Sequence, residues 1–153
     1  MNKKEKLEKL NKELAKAAGD CEGCPLGKSR EKSVFGTGPI GAKIMIISEA
    51  PGQQESLTGL PFVGRAGKLL DKLLELAGLD RKEIYITNVI KCRPPKNRRP
   101  KREEIGACKI WWQKQIEILK PKLIILLGRV ASDTVLGKDF WKEKGRLCQK
   151  EDR

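Results

Sequence analysis

Three short apolar runs constrain the fold most: residues 42–48 (AKIMIIS), 84–90 (IYITNVI) and 123–127 (LIILL). None of them alternates apolar with polar, so each is expected to be covered on both faces, as strands of a parallel sheet are. Parallel strands cannot be joined by hairpins and need crossovers. The intervening sequence supplies these as helices. Residues 65–77 place Leu69, Leu70, Leu73, Leu74 and Ala77 at helical spacing and stop at Gly78. Residues 101–119 carry Glu103 and Glu104 in the favoured first turn and end before Pro121. A short helix is expected over 129–136. An amphipathic one is expected over 3–18, on Leu7, Leu10, Leu14 and Ala18, ending at Gly19. The predicted fold class is α/β, a three-layer α/β/α sandwich around a central parallel sheet. Residues 1–153 read as one domain, with an N-terminal helix over 1–20 and a polar tail over 138–153.

In such sheets ligands bind beyond the carboxyl ends of the strands. Those ends are Ser48-Glu49, residues 88–92 and Gly128. Composition limits the chemistry available there. The chain has no histidine. That excludes Ser-His-Asp triads, Cys-His pairs and His-ligated zinc, and leaves carboxylates, amides, Lys, Cys or a metal cofactor. The 33 Lys and Arg against 20 Asp and Glu give a net charge of +13, which points to a polyanionic partner. Seven cations and no acid fall within residues 91–102 (KCRPPKNRRPKR), where Pro94, Pro95 and Pro100 prevent a helix. The run is either a solvated charge cluster or a phosphate-tracking loop, the latter resting on Arg93, Lys96, Arg98 and Arg99. The charged N-terminus lacks the apolar stretch of a secretory signal. No apolar run approaches the ~20 residues of a membrane span.

Cys21-x-x-Cys24, followed by Pro25, is joined far along by Cys92 and, after fifteen residues, by Cys108. Nothing suggests secretion, so a disulfide framework is not expected. The spacing admits a [4Fe–4S] cluster, a tetrahedral zinc or no metal. Cys148 reads as an unremarkable free thiol. Residues 36–41 (GTGPIG) match a dinucleotide fingerprint formally, but they precede a strand instead of following one and include Pro39, so a turn is expected. After the first strand, small residues between Glu49 and Glu55 permit close backbone approach to a ligand. Phe62, in a Gly/Pro-rich loop, either stacks on something planar or anchors the loop to the core.

The segments EAPGQQE (49–55), GLPFVGRAGKLLD (59–71) and YITNVIKCRPPKNR (85–98), with the four-cysteine spacing, resemble the family 4, thermostable-type uracil-DNA glycosylases over about residues 21–137. The resemblance implies a [4Fe–4S] cluster on Cys21, Cys24, Cys92 and Cys108. It also implies hydrolysis of the N-glycosidic bond of uracil in DNA, leaving an abasic site. The base is taken out of the stack first. Phe62 would then cover its face, and the Asn88 amide would accept from N3–H and donate to O4, a pattern that cytosine inverts. The backbone of Ala50, Pro51 and Gly52 would hold a carbonyl oxygen. Glu49 is the candidate carboxylate beside the sugar and attacking water, Asn97 a second water-positioning group, and Glu55 a supporting acid. Family members also carry a His-Pro motif on a further strand. This sequence has no His, so a sheet lacking its last strand and an impaired activity are expected. The alternative expectation is a non-catalytic iron–sulfur or zinc module that binds nucleic acid. The expected partner is uracil-containing DNA, single- or double-stranded, met by a monomer in the cytoplasm at the nucleoid.

Overall fold

The computed structural model describes residues 1–138; the polar tail and Cys148 lie outside the described residues. In chain order the elements are α1 (Lys3–Gly19), α2 (Leu26–Ser29), β1 (Ile44–Ser48), α3 (Gln53–Thr58), α4 (Arg65–Leu76), β2 (Ile84–Asn88), α5 (Arg102–Leu119), β3 (Leu123–Leu126) and α6 (Arg129–Val135). The strands run parallel in the order β2-β1-β3. Register pairs Ile44 with Ile84 and Ser48 with Asn88 on one side, and Ile44 with Leu123 on the other.

Both faces of the sheet are covered, which is why its strands are apolar at consecutive positions. Met45, Ile47 and Tyr85 pack with Trp112, Ile118 and Leu119 of α5, Leu26 of α2, and Val130 and Ala131 of α6; Leu7 and Leu14 of α1 lie alongside. On the opposite face Ile46, Ile84 and Ile86 meet Leu70 and Leu74 of α4. The three-layer sandwich is therefore as the sequence implied.

Four details differ from the sequence expectation. The segment between β1 and α4, for which no element was expected, includes a short helix: residues 53–58 form α3, which Gly59 ends at φ +77°. The apolar stripe of α4 is narrower than its leucines suggest. Leu70 and Leu74 are buried, whereas Leu69 and Leu73 are 59% and 53% exposed, because a neighbouring residue lies ~100° further round the helix. Strand β3 is half-exposed instead of buried, since among the described residues it has a strand on one side only. Finally, the 36–41 turn also brings Thr37 into an isolated antiparallel bridge with Ile86. Gly38 sits there at φ +147°, where a Cβ would lie 2.5 Å from the Ile84 carbonyl oxygen, so only glycine fits the approach.

No helix among the described residues is long and apolar enough to cross a membrane.

Candidate active site and four-cysteine centre

The carboxyl ends of β1 and β2 lie side by side, and their pairing continues past the strands. The Val89 N–H donates to the Ser48 carbonyl at 2.9 Å, and the Ile90 N–H donates to that of Glu49 at 3.1 Å. This extension carries half-buried Glu49 and Ala50, and the buried Pro51, alongside Asn88. Asn88 is 2% exposed; among the described residues no hydrogen bond engages its side-chain amide, and the amide atoms are not among the fully enclosed polar atoms. A buried amide without protein partners is costly unless a ligand or water completes it.

The loop carrying Phe62 is held from three sides. Arg81 donates to the Phe62 and Pro61 carbonyls at 3.0 and 2.8 Å and to Asp71 at 2.7 Å. The buried Glu55 carboxylate accepts from the Gly64 N–H at 3.3 Å. Gly67 lets the loop lie against α4, because a Cβ there would fall 2.0 Å from the Phe62 carbonyl oxygen. Phe62 itself is non-glycine at φ +49°, a conformation that persists only where the surroundings enforce it. Its half-buried ring packs against the α4-side core. The anchoring use is thus realised in the fold.

Asn97 is exposed, at φ +56°, with its Oδ1 accepting from Arg93 Nε at 2.8 Å. It belongs to the basic loop rather than to the Glu49–Asn88 pair of strand ends.

Cys21, Cys24, Cys92 and Cys108, far apart in sequence, line one small cavity together with Arg30, Lys91 and Trp111. None of the four is in a disulfide, and among the described residues no three metal-binding side chains form a single-ion site. N–H groups point at the sulfurs: Gly23 to Cys21 at 3.4 Å, Lys91 to Cys108 at 3.4 Å, and the Arg30 guanidinium to Cys92 at 3.3 Å. Arg30 also donates to the carbonyls of Cys21 and Gly19, so it ties the Cys21 segment to Cys92. Burial pushes the Cys108 thiol up to about 11, opposed by the Lys91 N–H. Burial likewise raises Cys92, opposed by Arg30. Loading a metal here must therefore displace protons. The donor set, four convergent thiols with N–H groups aimed at sulfur, fits a thiolate-bound metal centre.

Sequence reasoning assigned no role to Lys91. Its side chain is 1% exposed, and burial pulls its pKa down to about 7 against the opposing influence of the Cys108 sulfur. Its ammonium reaches Thr87, Asn88 and Gln115. The available signal was a lysine continuing an apolar strand directly into a cysteine.

The basic loop is less free than its composition suggests. Arg98 makes a bidentate pair with Glu104, at 2.7 and 3.0 Å. Glu104 is 3% exposed and also accepts from the Lys101 N–H at 2.8 Å. Arg98 therefore anchors the loop to the start of α5. Lys96 and Arg99 are exposed and Arg93 is half-buried. The Arg98 guanidinium holds the Glu104 carboxyl below the usual carboxylate range. A lowered acid stabilises the fold above its unfolded pKa of about 4.3 and loses that contribution as pH falls through the folded value. Arg98→Met is accordingly expected to lower the melting temperature at neutral pH, with the deficit shrinking in acid. Thermal melts across that range check it.

These features define an α/β sandwich with loops converging at the carboxyl ends of its parallel strands, four thiols lining one cavity and a cationic loop after β2. The chain belongs to the Uracil DNA glycosylase superfamily, whose profile matches residues 35–150. It is 44% identical over 133 residues to a Type-4 uracil-DNA glycosylase of Sulfurisphaera tokodaii, covering 86% of this chain and 59% of that protein. It is 47% identical over 130 residues to one of Pyrobaculum aerophilum, covering 85% and 64%. Similarity to a Type-5 uracil-DNA glycosylase of Thermus thermophilus is lower, 35% over 120 residues, covering 69% and 54%. The chain spans 58–65% of the length of five Type-4 relatives.

Proposed function

We propose that the chain is a DNA-repair glycosylase that hydrolyses the N-glycosidic bond of uracil in DNA and leaves an abasic site. The observation that carries this reading is the buried, unengaged amide of Asn88 at a strand end beside Glu49. An extruded uracil offers that amide a matched N3–H donor and O4 acceptor, whereas cytosine presents the reverse. Backbone N–H groups of Ala50 and Gly52 serve the other carbonyl, and Phe62 borders the base. The bond breaks with oxocarbenium character, so catalysis is mainly electrostatic. Glu49 stabilises the positive sugar and orients water, and Asn97 assists from the basic loop.

Cys21, Cys24, Cys92 and Cys108 hold a [4Fe–4S] cluster. Zinc is the other metal that four thiolates accept. That all four thiols line one cavity supports a group bound by the four together. When bound, the metal cross-links three distant segments and withdraws charge from four thiolates.

A uracil-containing oligonucleotide, single-stranded or paired, should yield an abasic product with the wild-type chain, and Glu49→Ala should lose 10²- to 10⁴-fold in rate. No product at high protein excess, with Glu49→Ala equally silent, would sink the enzyme reading and leave a binding module. Neutralising Lys96 and Arg99 together is expected to weaken DNA binding. It should also lower the slope of log affinity against log salt by roughly one for each phosphate no longer neutralised, read by titration at several salt concentrations.

A further inference from the structure

A buried ammonium is expensive unless every N–H finds a partner, and that of Lys91 has three. Its Nζ donates to Thr87 Oγ1 at 2.5 Å, Gln115 Oε1 at 2.6 Å and the Asn88 carbonyl at 2.8 Å. The Phe35 ring lies 5.5 Å away, close enough for a cation–π contact. The acceptors are themselves fixed. Thr87 Oγ1 donates to the Phe35 carbonyl at 2.7 Å, which leaves its lone pairs to the ammonium. Gln115 Nε2 donates to the same carbonyl at 2.7 Å and to Tyr85 Oη at 3.1 Å, so its amide can face only one way. A fully satisfied buried network of this kind holds a single geometry.

This network lies between two sites. One end grips the last carbonyl of β2, that of Asn88. The other is the Lys91 backbone, whose N–H donates to Cys108 Sγ at 3.4 Å and whose next residue is Cys92. We infer that Lys91 is a positioning residue. It fixes the backbone that aims the Asn88 amide, and it makes that aim depend on the four-cysteine centre. A neutral side chain of equal length could fill the space without the cost of a buried charge, but it could not hold the Asn88 carbonyl. The inference rests on the reading of Asn88 as the group that recognises uracil.

The test is a double-mutant cycle on base preference. The probes are oligonucleotides carrying one 2′-fluoro-deoxyuridine or one 2′-fluoro-deoxycytidine; the fluorine destabilises the oxocarbenium ion, so binding is measured without cleavage. The wild-type chain should prefer the uracil probe, and Asn88→Ala should abolish the preference. Lys91→Met should reduce it about tenfold, with metal content unchanged. The double variant should match Asn88→Ala alone, because a residue acting through Asn88 has nothing further to lose. Additive losses, or a lower melting temperature with preference intact, overturn the inference. Should Lys91→Met fail to fold, Thr87→Val and Thr87→Ser decide. The serine keeps the hydroxyl acceptor and should keep the preference; the valine should weaken it, and equal preference in both overturns the inference. An Asn88→Ala variant that discriminates as well as the wild type removes the premise, which separates failure of the Asn88 reading from failure of the Lys91 coupling.

Discussion

On the proposed four-thiolate assignment, Cys92→Ser is expected to abolish metal binding and to lower the thermal stability strongly. Structural metal centres contribute on the order of 10 kcal/mol, comparable with the whole stability of ~5–15 kcal/mol typical of a domain. Cys92 is a demanding place to lose a ligand. It is 5% exposed, and the Arg30 guanidinium that donates to its sulfur also holds the Cys21 and Gly19 carbonyls. Without the metal the segments bearing Cys21 and Cys24, Cys92, and Cys108 would be joined by Arg30, by the Lys91 N–H to Cys108 and by the apolar packing around Leu26 and Trp112. Iron and zinc analysis, visible absorption and thermal melts measure the outcome, and prolonged chelation of the wild-type chain should reproduce it. A Cys92→Ser protein with wild-type metal content and melting temperature would overturn the four-thiolate assignment.

The second large effect is expected at Asn88. Asn88→Ala should lower kcat/KM for uracil release by 10²- to 10³-fold, the usual consequence of removing one preorganised hydrogen-bonding group aimed at developing charge. Affinity for undamaged DNA should stay nearly constant, because that term is expected from exposed cations, as proposed for Lys96 and Arg99, and not from a group 2% exposed. Single-turnover rates on a uracil oligonucleotide, beside salt-matched titrations on an undamaged one, separate the two. A rate within threefold of wild type would show that the base is read elsewhere.

Much of the fold was legible because each strand is apolar at nearly every position and is punctuated by Gly and Pro. Hence β1 and β2, and the helices between strands, fell close to their expected places. The misplacements share one cause, the absence of partners in a linear string. Leu69 and Leu73 look like core residues until α4 is set against a sheet that only Leu70 and Leu74 can reach. The leucine-rich run of β3 looks buried until its single strand neighbour is known. The candidate site was legible in a different degree. The cysteine quartet stood out by spacing, and its convergence on one cavity follows from α1 and α5 packing together beside the end of β2. The burial of Lys91 and the pairing of Arg98 with Glu104 were not legible, because in a run of seven cations composition cannot tell which of them find partners within the fold.

The sequence by itself determined most of the element types, the parallel topology and the four thiols. Each of these depends on residue identity and local period alone. Only the tertiary structure decided which of those groups are free to act. It left the Asn88 amide unengaged, tied Arg98 to Glu104 and put the Lys91 ammonium among three acceptors. The physical reason is that burial and hydrogen-bond satisfaction belong to pairs of groups distant in the chain, and those pairs exist only once the layers have closed.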